Sequence, residues 1–164
     1  MMEKEVITTD HAPGAIGPYS QAIRVVDFVY TAGQGGLDPV TNQMVSGGVV
    51  AQAEQTMKNL EAVLEAAGTG FDNVIKTTIF LRYIKDFAAV NEVYGRFFGG
   101  TKPARSTVAV SALPLSALVE IEMVALVPKI EAEEQAPEDR PKKKKAKKKA
   151  TPKVKGKKGK KGKR

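Results

Sequence analysis

The 164-residue sequence predicts an α+β domain, with two helices packed on one face of a mixed β-sheet, followed by a non-globular tail. Three observations lead there. Six segments rich in β-branched residues with partial period-2 alternation read as strands. Two segments whose apolar residues step by 3 and 4 read as helices. Beyond Lys129 the apolar pattern stops. The order β-β-β-α-β-α-β-β suits an α+β layout in which one sheet face carries the helices. Val and Ile occupy both faces of these strands, so the second face is expected to be buried against another subunit.

The strand segments, in order, are EVITT, SQAIRV, DFVYTAG, NVIKTTIFL, ARSTVAV and LVEIEMVAL. Between the third and fourth, Val49, Ala53, Met57, Leu60, Leu64 and Ala67 step by 4, 4, 3, 4 and 3, one stripe of a helix of about five turns. Gly68 follows as its stop, because glycine accepts the left-handed conformation at little cost. Between the fourth and fifth, Phe87, Val90, Tyr94 and Phe97 step by 3, 4 and 3. Asp86 is placed to cap this shorter helix, and Gly99 and Gly100 to end it.

Composition excludes several chemistries. The chain has no Cys and one His, His11, so it has no disulfide framework, thiolate metal site, cysteine nucleophile or His–His metal pair. No apolar run is long enough to span a membrane, and the start MMEKEVITTD has no apolar signal stretch, so a cytoplasmic protein is expected.

The net charge of +8 is unevenly distributed. Residues 1–129 carry 10 basic and 13 acidic side chains, residues 130–139 five acids and no base, and residues 140–164 sixteen bases and no acid. Two parts are therefore expected: a folded domain over 1–129 and a disordered tail over 130–164, acidic over 130–139 and lysine-rich over 140–164. After Ile130 the only large aliphatic residue is Val154. Such a segment buries too little to offset roughly 1–2 kcal/mol per residue of backbone ordering entropy. Its lysines, among them Lys142, Lys143, Lys144, Lys145, Lys147, Lys148 and Lys149, are candidates for binding nucleic acid or another polyanion. Without aromatic residues there is no stacking platform, so binding would run through phosphates and weaken steeply with salt.

The stretch PARSTVAVSALPLSALVEIEM holds the most chemistry. Alternation puts Arg105 and Thr107 on one side of a strand and Ser106, Val108 and Val110 on the other. In the last strand Glu120 and Glu122 share a side, opposite Val119, Ile121 and Met123. A strand–Pro114 connection–strand arrangement is expected to bring Arg105 near Glu120, where the guanidinium would favour the ionised carboxylate. By itself such a couple reads first as a structural ion pair at a sheet edge.

PARSTVAV, LP and VEIEM resemble the signature of the RidA/YjgF family of reactive-intermediate deaminases. Three further blocks are similar to that family: APGAIGPYSQAI, YTAGQGGLDPVTNQMV and NVIKTTIFLRYIKDFAAVNEVYGRFF. Together they cover roughly residues 5–128 in order and spacing. The resemblance implies a chorismate-mutase-like fold and a homotrimer with clefts at its subunit interfaces. It implies hydrolysis of 2-imino acids such as 2-iminobutanoate and 2-iminopropanoate to 2-oxo acids and ammonia, with no cofactor. Arg105 would hold the substrate carboxylate with its rigid fork of donors. Glu120 would orient or deprotonate a water and pass a proton to the departing nitrogen. By the same resemblance Tyr19, Gly33, Asn91 and Thr107 would line the cleft, with Gln34 as a neighbour.

Two departures stand out. Ala32 occupies a position where the deaminase subgroup typically has Ser, and Thr107 one where many members have Cys. A non-catalytic, metabolite-binding member is therefore an alternative, as is a nucleic-acid-associated protein acting through its lysine-rich tail. No nuclease constellation is recognisable in the sequence.

Overall fold

The computed structural model describes residues 3–128. The expected domain boundary at Lys129, the tail over 130–164 and its lysines lie outside the described residues. Seven strands form one sheet: β1 (Lys4–Ile7), β2 (Ala22–Val25), β3 (Phe28–Thr31), β4 (Gln34–Gly35), β5 (Val74–Leu81), β6 (Ala104–Ala109) and β7 (Val119–Leu126). Helix α1 (Gly48–Ala66) links β4 to β5, and α2 (Phe87–Arg96) links β5 to β6. The spatial order is β1-β2-β3-β7-β5-β6, with β4 also on β7. The helical crossover makes β5–β6 a parallel pair while the other pairs are antiparallel, so the sheet is mixed.

Alternation along β7 sets the layers. Val119, Ile121, Met123 and Ala125 are fully buried against the helices, joined by Ile79 and Leu81 of β5 and by Met57, Leu60 and Leu64 of α1. Glu120, Glu122, Val124 and Leu126 point to the other face. That face is open along the chain, with Phe28, Tyr30, Val108 and Leu126 all exposed.

The buried side of α1 is broader than its apolar stripe. Gln52, Thr56 and Asn59 are buried there too. Asn59 donates from Nδ2 to the Gly35 and Leu37 carbonyls, at 3.1 and 2.8 Å, and Gln52 Oε1 accepts from the Leu118 amide at 2.8 Å. One helix thereby fixes the loop after β4 and the entry to β7. A further clip works at the amino-terminal end. Buried Gln21 donates to the Thr9, Ala12 and Pro13 carbonyls and accepts from the Thr9 amide, tying residues 9–13 to β2.

Helix α1 ends as expected, with Gly68 at φ 77° and its amide on the Glu65 carbonyl. Three local expectations are corrected. Asp86 stands at the start of α2 but makes no side-chain capping bond, because a 3-10 turn (Ile84–Asp86) already gives it a helical backbone. Helix α2 stops at Arg96, before Gly99 and Gly100, neither of which is left-handed. The short strand β4, absent from the expected order, forms because Gln34 and Gly35 pair with Ile121 and Glu120.

Candidate functional site

The structure divides the residues singled out by sequence into two hollows. The first, of about 320 Å³, is walled by Tyr19, Ala32, Gly33, Met44, Leu115 and Glu120, among others. Glu120 reaches it from the open face of β7. Gly33 is needed for close approach: a Cβ there would come within 2.2 Å of the Glu120 Oε1. Tyr19 is 48% exposed, which makes it a wall of the cavity and not a core aromatic, and its hydroxyl accepts from the Ile16 amide at 3.3 Å. Leu115 and Ser116 both take left-handed backbone, φ 53° and 57°. Left-handed backbone is costly for side chains such as these, and it sets Leu115 at the rim. Burial raises the Glu120 carboxyl above the ordinary carboxylate range, and the negative charge of Glu122 raises it further.

The second hollow is lined by Asn91, Tyr94, Gly95, Lys102, Pro103 and Arg105. Arg105 lies on the helix side of β6, its guanidinium carbon 4.9 Å from the centre of the Tyr94 ring and 5.8 Å from that of Phe87. The Lys102 amine donates to the Phe98 carbonyl. Two residues beyond Arg105, the buried Thr107 hydroxyl has no hydrogen-bond partner among the described residues.

Arg105 and Glu120 do not meet within one chain, which corrects the expected proximity. Strand β5 lies between β6 and β7. Arg105 is level with Thr77 and, across β5, with Met123, on the helix side; Glu120 is level with Phe80 and Val108, on the open side. The expected electrostatic effect is corrected with it within one chain, where burial and the Glu122 charge raise Glu120. Gln34 is also displaced from its expected place. It pairs with Ile121 and is buried on the helix side, while Gly35 is the residue level with Glu120. The structure adds Tyr94 beside Arg105, and Met44 and Leu115 beside Glu120. Tyr94 was visible in the sequence only as part of an apolar stripe. Among the described residues no helix is long and apolar enough to cross a membrane.

Comparison with known proteins places this geometry in a family. The family profile described as Endoribonuclease L-PSP matches residues 9–127. The chain is 54% identical over 127 residues to Protein DfrA of Myxococcus xanthus, covering 76% of this chain and 97% of that one. It is 51% identical over 123 residues to the 2-iminobutanoate/2-iminopropanoate deaminase of Mus musculus, covering 75% and 91%. Among solved structures it is similar to the Rid-family protein YyfA of Yersinia pestis, at 50% identity and a TM-score of 0.74, covering 76% and 100%. The sequence blocks, the mixed sheet and these relatives agree, and the chain belongs to the RidA/YjgF family of reactive-intermediate deaminases.

Proposed function

We propose that the chain hydrolyses 2-imino acids, 2-iminobutanoate and 2-iminopropanoate among them, to 2-oxo acids and ammonia in clefts formed where copies of the chain meet. A homotrimer would hold three such clefts. One observation carries the reading: the cation and the carboxylate that the reaction needs sit in separate hollows on opposite sides of the sheet. A second copy seated on the open apolar face is the arrangement that would bring one chain's Arg105 to another's Glu120. The family membership and the deaminase name of a relative at 51% identity support the same reaction.

In the proposed cleft Arg105 holds the substrate carboxylate by two parallel N–H···O bonds and so fixes the imine carbon. Asn91 and Thr107 flank it on the same copy. Across the cleft, Glu120 holds a water against that carbon, in a position secured by Gly33, with Tyr19 as the adjoining wall. Water adds to the iminium carbon as Glu120 takes its proton. That proton then goes to the nitrogen of the carbinolamine. Glu120 takes the remaining hydroxyl proton as the C–N bond breaks, the 2-oxo acid and ammonia leave, and Glu120 returns its proton to solvent. Orientation supplies most of the acceleration, because an iminium is already electrophilic. Within its own chain, burial and Glu122 raise the Glu120 carboxyl, which favours its action as a base. Ala32 in place of a hydroxyl leaves the wall beside Gly33 apolar, and the reaction as written uses no group there.

The lysine-rich tail favours a second, separable property. Sixteen basic residues in 25 would bind polyanions through phosphates, and an oligomer would multiply the effect.

Coupled to a threonine dehydratase, the full chain is expected to accelerate 2-oxobutanoate release, and Arg105→Ala to lower kcat/KM by about 3 kcal/mol, roughly 100-fold. No acceleration by the wild type, or full acceleration by the variant, would defeat the reading. A second expectation concerns pH. Glu120 acts as its anion, raised within its own chain by burial and Glu122 and lowered in the assembled cleft by the neighbouring copy's Arg105, so the acid limb of kcat/KM reports the balance of the two. Glu122→Gln removes one cause of the rise and should move that limb to lower pH under identical conditions; an unmoved limb argues against Glu120 as the base. For the tail, gel retardation of DNA should be strong for the full chain at low salt, weak at high salt and lost in a chain of residues 1–129. Equal retardation by both chains would show that the tail is not responsible.

A further inference from the structure

Arg105 is held by an aromatic face in place of a carboxylate. Among the described residues the ion pairs are Arg24 with Glu5 and Arg96 with Glu54; Arg105 takes part in neither. Its guanidinium carbon instead lies 4.9 Å from the centre of the Tyr94 ring. Tyr94 is itself fixed on two sides. Its hydroxyl shares a 2.9 Å hydrogen bond with Thr77 Oγ1, and its ring packs on Phe98 at 4.6 Å between centroids, with Phe71 behind at 5.3 Å. Thr77 is fully buried and is the residue directly beside Arg105 in the β5–β6 register. The strand that carries the arginine's neighbour therefore also pins the ring against which the arginine lies.

We propose that Tyr94 is a positioning residue for the carboxylate-binding arginine, its Thr77-anchored ring presenting the Arg105 fork toward the cleft without neutralising it. An aromatic quadrupole attracts a cation yet carries no net charge, so the guanidinium keeps its full charge for the substrate. A carboxylate in the same place would hold Arg105 equally well but would compete with the substrate carboxylate for the same donors. The phenol suits the role. Burial raises it above the ordinary tyrosine range, against the smaller opposing effects of the Thr77 bond and the Arg105 charge, so it stays neutral and the ring bears no phenolate. This inference rests on the proposed function, because it takes Arg105 as the group that grips the substrate acid.

The test uses the full chain, with 2-oxobutanoate as the binding probe in calorimetry and KM and kcat measured in parallel. Tyr94→Leu, which removes the ring face, should weaken 2-oxobutanoate binding and raise KM by about tenfold, with kcat within about twofold of wild type. Arg105 keeps its fork in this variant and still aligns the substrate that it binds, so the loss falls on affinity and KM carries the effect. Unchanged affinity, or a fall in kcat at constant KM that matches a loss of folded protein by circular dichroism, would overturn the proposal. If Tyr94→Leu does not fold, Tyr94→Phe and Thr77→Val decide the matter, since each removes one end of a single hydrogen bond. Each should weaken binding about two- to threefold and the double variant no further, whereas wild-type affinity in both overturns it. A wild-type chain that neither binds 2-oxobutanoate nor accelerates hydrolysis overturns the underlying function as well, and shows this before any variant is compared.

Discussion

The register of β5 against its two neighbours is the constraint on which the rest depends. Side chains alternate across a sheet, and β5 separates the strand bearing Arg105 from the strand bearing Glu120. The pairing of Thr77 with Arg105 and of Phe80 with Glu120 then sends the two ionisable groups to opposite faces. No rotamer change can reunite them within the chain, since the sheet itself stands between. A one-residue slip of either strand would reverse a whole buried face, and the fully buried row of Val119, Ile121, Met123 and Ala125 makes such a slip prohibitive. The core thus fixes the separation of the two halves of the proposed site.

That separation shapes the electrostatics. Side by side, an arginine would hold Glu120 ionised at low pH and Glu120 would occupy the arginine's donors. Within one chain each group has its own surroundings: Glu120 raised by burial and by Glu122, Arg105 lying on Tyr94. In the proposed reaction each group would meet its working partner only when copies assemble and substrate enters. The polar side chains buried under α1 serve the same end at a distance. Asn59 fixes the loop after β4 and Gln52 the entry to β7, and these two segments flank Glu120.

Much of this was legible in the sequence, and the failures share a cause. Period-2 alternation sorted the side chains of β6 and β7 onto their faces, and the 3–4 stepping found the core stripe of α1. Both are local signals. Sequence does not show which strand lies between two others, so the expected proximity of Arg105 and Glu120 does not hold within one chain. The capping role given to Asp86 failed because the turn before it is already helical. Strand β4 and the burial of Gln34 depend on long-range pairing with β7 and leave no periodicity in two residues. Gln52 and Asn59 lie beside the apolar stripe, and their partners are distant backbone carbonyls and amides that apolar spacing does not report. The spacing of Tyr94 marks it as core; its contact with Arg105 follows only from the parallel β5–β6 pairing that α2 spans.

Subunit complementation tests the central claim most directly. Arg105→Ala and Glu120→Gln chains, each inactive alone, are mixed in equal amounts under reversible dissociation and reassembled, and imine hydrolysis is then measured. If each cleft takes its arginine from one copy and its glutamate from another, random assembly restores about one quarter of wild-type activity. If activity stays at the level of the separate variants, both groups work within a single chain and the account is contradicted.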